Sequence, residues 1–151
     1  MTVTIRAAGL EEASTFAALH RQHFVPAWDA AAFEDLIKYD GAVALLAVSQ
    51  EEPVGFILGR VIADEAEILT LGVKSDWQRR RVATRLVNEL AARAAERGAS
   101  RIFLEVAAEN QAARQLYRTL GFDEIGRRPC YYERRDGPSV DAIIMSRSAI
   151  P

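Results

Sequence analysis

The chain has 151 residues, of which 50% are hydrophobic and 26% are charged, and its formal net charge is −2 at neutral pH. This length suits one domain with a complete core, so we treat residues 1–151 as a single domain. A balanced charge offers no basic surface of the kind that binds nucleic acid or anionic lipid. One cysteine, Cys130, and two histidines give neither an internal disulfide nor zinc-ligand spacing. We therefore expect a cytoplasmic protein with no metal, no membrane segment and no direct nucleic-acid partner.

The first half of the chain starts with a strand and two helices. Thr2–Arg6 is typical of a short strand, and apolar residues at helical spacing predict a helix over Leu10–Phe24. Asp29 is a suitable N-cap for a second helix. Three strands follow, the first two joined by a turn at Ser49–Pro53: Ala42–Val48, a strand from Val54 onward, and Glu65–Val73.

In the second half the clearest pattern is an apolar stripe with a 3.6-residue period, which predicts a helix over Val82–Ala94. The remaining predicted elements are a strand, a helix and two closing strands around a turn at Asp136–Pro138: Arg101–Val106, Asn110–Leu120, Phe122–Tyr132 and Val140–Met145. This mixed α/β order predicts one layered unit.

The segment from Val73 to Val87 joins a strand end, a basic loop and the start of the long helix. Free N–H groups and the helix dipole favour an anion at such a junction, and Arg79, Arg80 and Arg81 can bind phosphate oxygens. An alternative is a solvated helix start with Ser75 and Gln78 as a capping box. The sequence contains neither a Walker loop nor a dinucleotide-binding fingerprint, so it does not support kinase, ATPase or dehydrogenase functions.

Two motifs in this order resemble the GCN5-related N-acetyltransferase superfamily. Residues 78–83, Gln-Arg-Arg-Arg-Val-Ala, are similar to its pyrophosphate loop, and residues 116–122, Leu-Tyr-Arg-Thr-Leu-Gly-Phe, to its later helix-to-strand motif. Segments 104–106, 127–132 and 141–145 resemble the branch that acetylates protein N-termini. The resemblance implies a mostly antiparallel sheet of about seven strands with helices on both faces. It also implies that the sheet splays open after the third long strand to admit acetyl-CoA.

The resemblance assigns the acetyl-CoA-binding residues to three segments. Loop and helix residues would hold the pyrophosphate, strand backbone would hold the pantetheine arm and polarise the thioester, and Asn110, also a helix N-cap, would bind the same arm. These residues are Leu71, Gly72, Val73, Gln78, Arg79, Arg80, Arg81, Val82, Ala83, Thr84 and Asn110.

Arg81 stands where the family's loop has glycine. A Cβ there crowds a bound pyrophosphate unless φ is negative and the guanidinium turns outward. The sequence leaves weaker acetyl-CoA binding and a changed loop geometry open.

The resemblance implies that Glu105 is the general base and Tyr117 the acid that protonates the thiolate of coenzyme A. From the residues alone, Glu105 is also explained by an ion pair with Arg101 or Arg114, and Tyr117 by packing on an apolar helix face. Cys130 has no adjacent histidine in the sequence, so we expect a structural or incidental thiol. The resemblance implies direct attack of the amine with no covalent enzyme intermediate.

The acceptor implied by the resemblance is a protein N-terminus with a small first residue such as alanine, in particular that of a small-subunit ribosomal protein. Arg128, Tyr131 and Tyr132 are the expected acceptor-binding residues, with Arg127, Arg134 and Arg135 adding a basic rim. Acetylation of lysine or a small amine, and a non-catalytic acyl-CoA-binding module, remain alternatives. We expect a monomer or a weak dimer.

Overall fold

The computed structural model describes residues 2–132 and 139–150, except the side chains of Cys130 and Tyr132. These residues form one sheet whose strands are β1 Thr4–Ala7, β2 Ala42–Ser49, β3 Glu52–Ile62, β4 Glu65–Val73, β5 Arg101–Ala107, β6 Asp123–Tyr132 and β7 Val140–Ser148. The helices are α1 Ala13–Arg21, α2 Ala30–Ile37, α3 Val82–Glu96 and α4 Gln111–Thr119. The seven strands lie in the order β1-β2-β3-β4-β5-β7-β6. Every pairing is antiparallel except that of β4 with β5.

The two faces of the sheet are covered by different helices. Phe16, Leu19 and Phe33 of α1 and α2 pack in one cluster, and Leu86 and Leu90 of α3 pack in the other. Full burial of one such side chain contributes roughly 1.5–3 kcal/mol, so the two clusters hold the helices on opposite faces. The predicted mixed sheet with helices on both faces is confirmed.

Gly59 lets α3 approach β3 closely. A Cβ at Gly59 would lie 2.8 Å from Leu90 Cδ1 and 2.7 Å from the Glu67 carbonyl oxygen. Both distances are shorter than a real Cβ contact, so a side chain at this position would push the helix outward. The position of α3, and with it the position of its N-terminus, depends on this glycine.

The sheet splays between β4 and β5. The two strands pair only over Glu65–Glu67 and Arg101–Phe103, although β4 continues to Val73 and β5 to Ala107. The carboxyl halves of two neighbouring strands therefore diverge and leave a wedge-shaped gap between them. This is the splaying after the third long strand that the resemblance implied.

Most predicted elements are present, and the differences are local. A 3-10 helix spans Leu10–Glu12 and α1 runs from Ala13 to Arg21, so the α-helix is shorter at both ends than the predicted Leu10–Phe24. The turn between β2 and β3 is narrower than predicted: Pro53 already lies in β3, and the turn is made by Gln50 and Glu51, both at positive φ. Asp29 caps α2 as predicted, since its carboxylate accepts from the Ala32 N–H at 2.9 Å.

Several predictions concern parts of the chain that the structure does not describe. The turn at Asp136–Pro138 and the basic residues Arg134 and Arg135 lie outside the described residues, as do the side chains of Cys130 and Tyr132. Within the described ranges, no helix is long and apolar enough to cross a membrane.

Candidate active site

The open edge of β4 supplies main-chain groups to the gap. The Lys74 N–H donates to the Val54 carbonyl at 2.8 Å, and this bond sets the alternation of the β3–β4 ladder. In an antiparallel ladder every second residue bonds to the partner strand, so Gly72 bonds to β3. Leu71 and Val73 then direct their N–H and C=O groups into the gap. Three residues were expected to hold the pantetheine arm. Two of them, Leu71 and Val73, present main-chain groups to the gap, whereas those of Gly72 bond to β3.

The segment after β4 is held by Gln78. A 3-10 helix spans Ser75–Trp77, and Gln78 Nε2 donates to the Val73 carbonyl at 3.1 Å. Within residues 2–132 neither Ser75 nor Gln78 caps α3, whose N-cap residue is Arg81. The capping-box interpretation is therefore wrong, because the glutamine side chain turns back to the strand end.

Arg81 has φ +62° and ψ 18°, and Arg79 has φ 64°. Both lie in the left-handed region that glycine adopts without strain and other residues adopt at a cost of roughly 1–2 kcal/mol. The condition that φ be negative at Arg81 is not met: the loop has the backbone conformation that a glycine would allow. Arg81, which stands in place of the family's glycine, therefore keeps a backbone conformation that glycine would adopt without strain and adds strain to the loop.

The N-terminus of α3 fits an anionic group. The described residues provide no side-chain cap at Arg81, so the first N–H groups of the helix, from Val82 to Thr84, have no partner within it. Arg79, Arg80 and Arg81 are all exposed around this end, and the Arg80 guanidinium lies 5.0 Å from the Trp77 ring centre. Free N–H groups, the positive end of the helix dipole and arginines together form a phosphate-binding arrangement.

Asn110 begins α4 on the far side of the gap. Its Oδ1 accepts from the Ala113 N–H at 3.1 Å, which confirms the predicted N-cap. The amide nitrogen makes no hydrogen bond to any described residue. An exposed amide with two unused N–H groups can donate to a ligand in the gap.

Glu105 lies on β5 and faces away from α3. Leu104 and Val106 pack in the α3 cluster, so the alternation of the strand directs Glu105 to the opposite face, beside Phe103. There it lines a cavity of about 170 Å³, together with Arg60, Glu67 and Ile144. The carboxylate therefore opens onto a depression at the base of the gap.

The Glu105 carboxylate is paired with Arg128 of β6, whose Nη2 lies 3.0 Å from Oε1. The partners considered from the sequence are engaged elsewhere: Arg101 Nε donates to Ser146 Oγ, and Arg114 donates to Glu124 and to the Ala108 carbonyl. The alternative interpretation, in which Glu105 forms an ion pair with Arg101 or Arg114, is therefore wrong. The sequence missed Arg128 as the partner because the two residues meet only through β7, which lies between their strands.

Tyr117 of α4 is 9% exposed and packs edge-to-face on Phe122, with ring centres 5.5 Å apart. Burial raises the pKa of the Tyr117 phenol well above its ordinary value, because the interior disfavours the phenolate. Its hydroxyl makes no hydrogen bond to a described residue. Packing and an available phenol proton thus coexist in one side chain.

The proposed acceptor-binding residues lie on β6 next to Glu105. The Arg128 guanidinium lies 5.3 Å from the Tyr131 ring centre, and the Tyr131 side chain is half exposed. Arg127 pairs instead with Asp141 of β7 at 2.9 Å. Arg128 and Tyr131 thus lie close together, and Arg127 has a separate partner.

His23 is a feature that the sequence did not single out. The predicted helix over Leu10–Phe24 includes His23, whereas it lies beyond the end of α1, with Nε2 buried and without a partner among the described residues. A Cβ on Gly72 would lie 3.2 Å from His23 Cδ2. Nothing in the local sequence distinguishes a histidine in this position from a core residue.

The segment of the chain that forms the gap and the helix N-terminus beside it lies within a match to a known family. Residues 13–122 match the model of the Acetyltransferase (GNAT) family, and the chain belongs to this family. In the described residues no group of three or more His, Cys, Asp or Glu side chains is arranged to hold a metal ion.

Two kinds of relative resemble the chain over different lengths. The [Ribosomal protein bS18]-alanine N-acetyltransferase of Escherichia coli is 40% identical over 91 residues, which are 60% of this chain and 61% of that protein. The N-alpha-acetyltransferase RimI of Mycobacterium tuberculosis is 37% identical over 97% of this chain and 93% of its own length.

Solved structures agree with the fold. The crystal structure of the ribosomal-protein-S18-alanine N-acetyltransferase from Escherichia coli has a TM-score of 0.86 at 27% identity, covering 98% of this chain and 94% of that chain. Arabidopsis thaliana NAA60 in complex with acetyl-CoA also has a TM-score of 0.86, at 20% identity over 97% of this chain and 98% of that chain, and supports the fold alone.

Proposed function

We propose that the protein transfers the acetyl group of acetyl-CoA to the free α-amino group of another protein. The observation that carries this proposal is the gap between β4 and β5, bordered by the Leu71 main-chain groups and the Val73 N–H, which do not pair with β3, and by the uncapped N-terminus of α3. Such a gap suits an extended pantetheine arm, and the helix end suits its pyrophosphate. Arg79, Arg80, Arg81 and the Asn110 amide would add contacts to the same cofactor.

The reaction needs one proton acceptor and one proton donor. Glu105 takes a proton from the acceptor ammonium, directly or through a water, and the free amine attacks the thioester carbonyl. The C–S bond then breaks and Tyr117 protonates the coenzyme A thiolate. The second proton, which the nitrogen loses as the amide forms, passes through solvent and restores the Tyr117 phenol. An N–H group on the open edge of β4, at Leu71 or Val73, would stabilise the oxyanion formed in between.

The α-amine is the acceptor that a single carboxylate serves most easily. Its pKa is about 7.7–8.0, against about 10.4 for lysine, so deprotonating it at neutral pH costs roughly 3–4 kcal/mol less. We propose the N-terminal alanine of a small-subunit ribosomal protein as the substrate, since relatives at 40% and 37% identity are named for ribosomal-protein and N-alpha acetylation. Such a reaction would take place in the cytoplasm.

A peptide pair tests the proposal. We expect a mass increase of one acetyl group on a peptide with a free N-terminal alanine, and none on the same peptide with a blocked N-terminus and a free lysine. Acetylation of the blocked peptide, or of a polyamine in its place, contradicts the N-terminal assignment. The Glu105→Gln variant should lose about 10²-fold in turnover. Glu96→Gln, which alters an exposed carboxylate at the C-terminal end of α3, provides the matched control.

A further inference from the structure

The sheet face that carries Glu105 has a cavity of about 170 Å³ beside this residue. Its walls come from β3, β4, β5 and β7, and neither α1 nor α2 contributes a residue to its described lining. Phe103 and Ile144 give the cavity an apolar part, and Ile62 at its edge is half exposed. Such a volume corresponds to about five or six water molecules at roughly 30 Å³ each, so it has room for one long side chain.

Glu67 stands at the point where β4 and β5 separate. It forms the last pair of these two strands with Phe103. Its neighbours Ala66 and Ile68 pack in the α3 cluster, so the alternation of the strand directs Glu67 to the opposite face, where Glu105 also lies. One strand spacing and two residues along the strand place the Cα atoms of Glu67 and Glu105 roughly 8 Å apart. The two carboxylates therefore line one cavity from neighbouring strands.

The Glu67 carboxylate is accessible and loosely paired. Its ion-pair partner among the described residues is Arg60, whose Nη2 lies 3.5 Å from Oε1. Charge-assisted hydrogen bonds between these groups are about 2.7–2.9 Å long, so the pair lacks a close hydrogen bond. The Glu67 side chain is 48% exposed. A substrate can thus reach this carboxylate without opening the core.

The charges around the cavity favour a cation. The charged side chains of its described lining are three carboxylates and one guanidinium, those of Glu65, Glu67, Glu105 and Arg60. Two more guanidinium groups are near it without lining it: Arg128 pairs with Glu105 from β6, and Arg101 Nε donates to Ser146 Oγ. This lining attracts an ammonium or guanidinium group and repels a carboxylate.

We infer that the cavity receives a cationic side chain, lysine or arginine, from the second residue of the acceptor, and that Glu67 binds its charged end. This inference rests on the proposed function and adds a specificity-determining residue to it. An acceptor that meets Glu105 approaches from this face, because α3 covers the other one. An extended peptide advances about 3.3 Å per residue, and the stem of a long side chain packs on Phe103 while its charge reaches Glu67.

Three peptides that differ only at the second residue test the inference. All have a free N-terminal alanine, followed by arginine, methionine or glutamate; arginine provides the charge without offering a second amine. The ratio of kcat/KM between two peptides is measured on one enzyme preparation, so any loss of folded enzyme cancels. We expect the wild type to prefer the arginine peptide to the methionine peptide about fivefold, the effect of one partly exposed ion pair, and to use the glutamate peptide least.

Two substitutions should change this ratio in opposite directions. Glu67→Gln should reduce the preference for arginine to about twofold or less, whereas Arg60→Gln should increase it, because Glu67 then has no competing partner. Raising the salt concentration should lower the preference of the wild type. Glu89→Gln, which removes an ion-paired carboxylate from α3, is the matched control and should keep the wild-type ratio.

A wild type without a preference for arginine, or a preference that Glu67→Gln leaves unchanged, overturns the inference. A preference for the glutamate peptide overturns it as well, because Arg60 would then determine what the cavity binds. A wild type that acetylates none of the three peptides contradicts the proposed function itself. Equal acetylation of all three contradicts only the role of Glu67.

Discussion

Arg128 Nη2 lies 3.0 Å from Glu105 Oε1, so the carboxylate proposed as the base is tied to the strand proposed to bind the acceptor. The pair is partly exposed, with side-chain exposures of 54% for Arg128 and 27% for Glu105. Exposed ion pairs contribute about 0–1 kcal/mol to stability, so this one holds the carboxylate in position more than it stabilises the fold.

We therefore expect Arg128→Gln to lower kcat/KM for the acceptor about fivefold, because Glu105 loses the group that orients it. Unfolding in urea should be unchanged within about 1 kcal/mol. Arg93→Gln is the matched control, since it breaks a partly exposed ion pair with Glu89 on α3 and leaves Glu105 untouched. Equal kinetics in the two variants would contradict a role for Arg128 in the site.

Tyr117→Phe should lower kcat by about 10²-fold and leave acetyl-CoA binding nearly unchanged, because it removes the proton donor and keeps the contact with Phe122. Steady-state kinetics and binding calorimetry test this. The exposed Tyr39→Phe serves as control. A Tyr117→Phe variant with wild-type kcat would exclude the phenol as the acid.

The same tyrosine predicts how stability depends on alkaline pH. Burial raises the pKa of Tyr117 in the folded protein, whereas the unfolded chain releases this proton near its ordinary value of about 10. The stabilisation is therefore complete below about pH 10 and is lost as the pH rises above that value. Urea unfolding between pH 8 and pH 11 should show this loss, and it should be smaller in Tyr117→Phe.

Arg81→Gly should stabilise the protein by about 0.5–1 kcal/mol. The substitution relieves the strain of an arginine at φ +62°, and the greater conformational entropy of glycine in the unfolded chain offsets only part of this gain. Acetyl-CoA binding should weaken several-fold at low salt, since one cation near the pyrophosphate is lost. Arg80→Ala removes a cation without changing a strained residue, so it should weaken binding without raising the unfolding temperature. Tighter binding by Arg81→Gly would show that the Cβ clashes with the ligand.

His20 predicts a loss of stability in acid. Its ring is stacked between Phe24 and Trp28, and Nδ1 accepts from the Trp28 N–H at 3.1 Å. Burial, and to a smaller extent His23, lower the pKa of His20 in the folded protein. The stabilisation is present above the unfolded pKa of about 6.5 and is lost as the pH falls towards the folded value.

Urea unfolding between pH 7.5 and pH 5 tests this effect. We expect the free energy of unfolding to decrease across that range in the wild type and to change less in His20→Gln. The His23→Gln variant should keep most of the decrease, because burial is the larger cause of the shift. If the free energy of unfolding of the wild type does not decrease, the stacked His20 ring accepts a proton in the folded protein as readily as in the unfolded chain, and the prediction is wrong.

The sequence by itself determined the elements and where most of them end. The apolar stripe from Val82 placed α3, the run Glu65–Val73 has the bounds of β4, and Asp29 and Asn110 begin their helices as predicted. These features depend on neighbours within one helical turn or one strand, so the local pattern carries them. The residues proposed for catalysis and for acetyl-CoA came from a resemblance of motifs rather than from such patterns.

Only the tertiary structure decided which groups meet. The partner of Glu105 is Arg128 because β7 brings β5 and β6 into one sheet, and the ring of His23 lies against β4 because Gly72 has no side chain. The close approach of α3 to β3 depends on Gly59, which lies far from Leu90 in the chain. Each depends on pairing between residues far apart in the chain, and no local preference encodes such pairing.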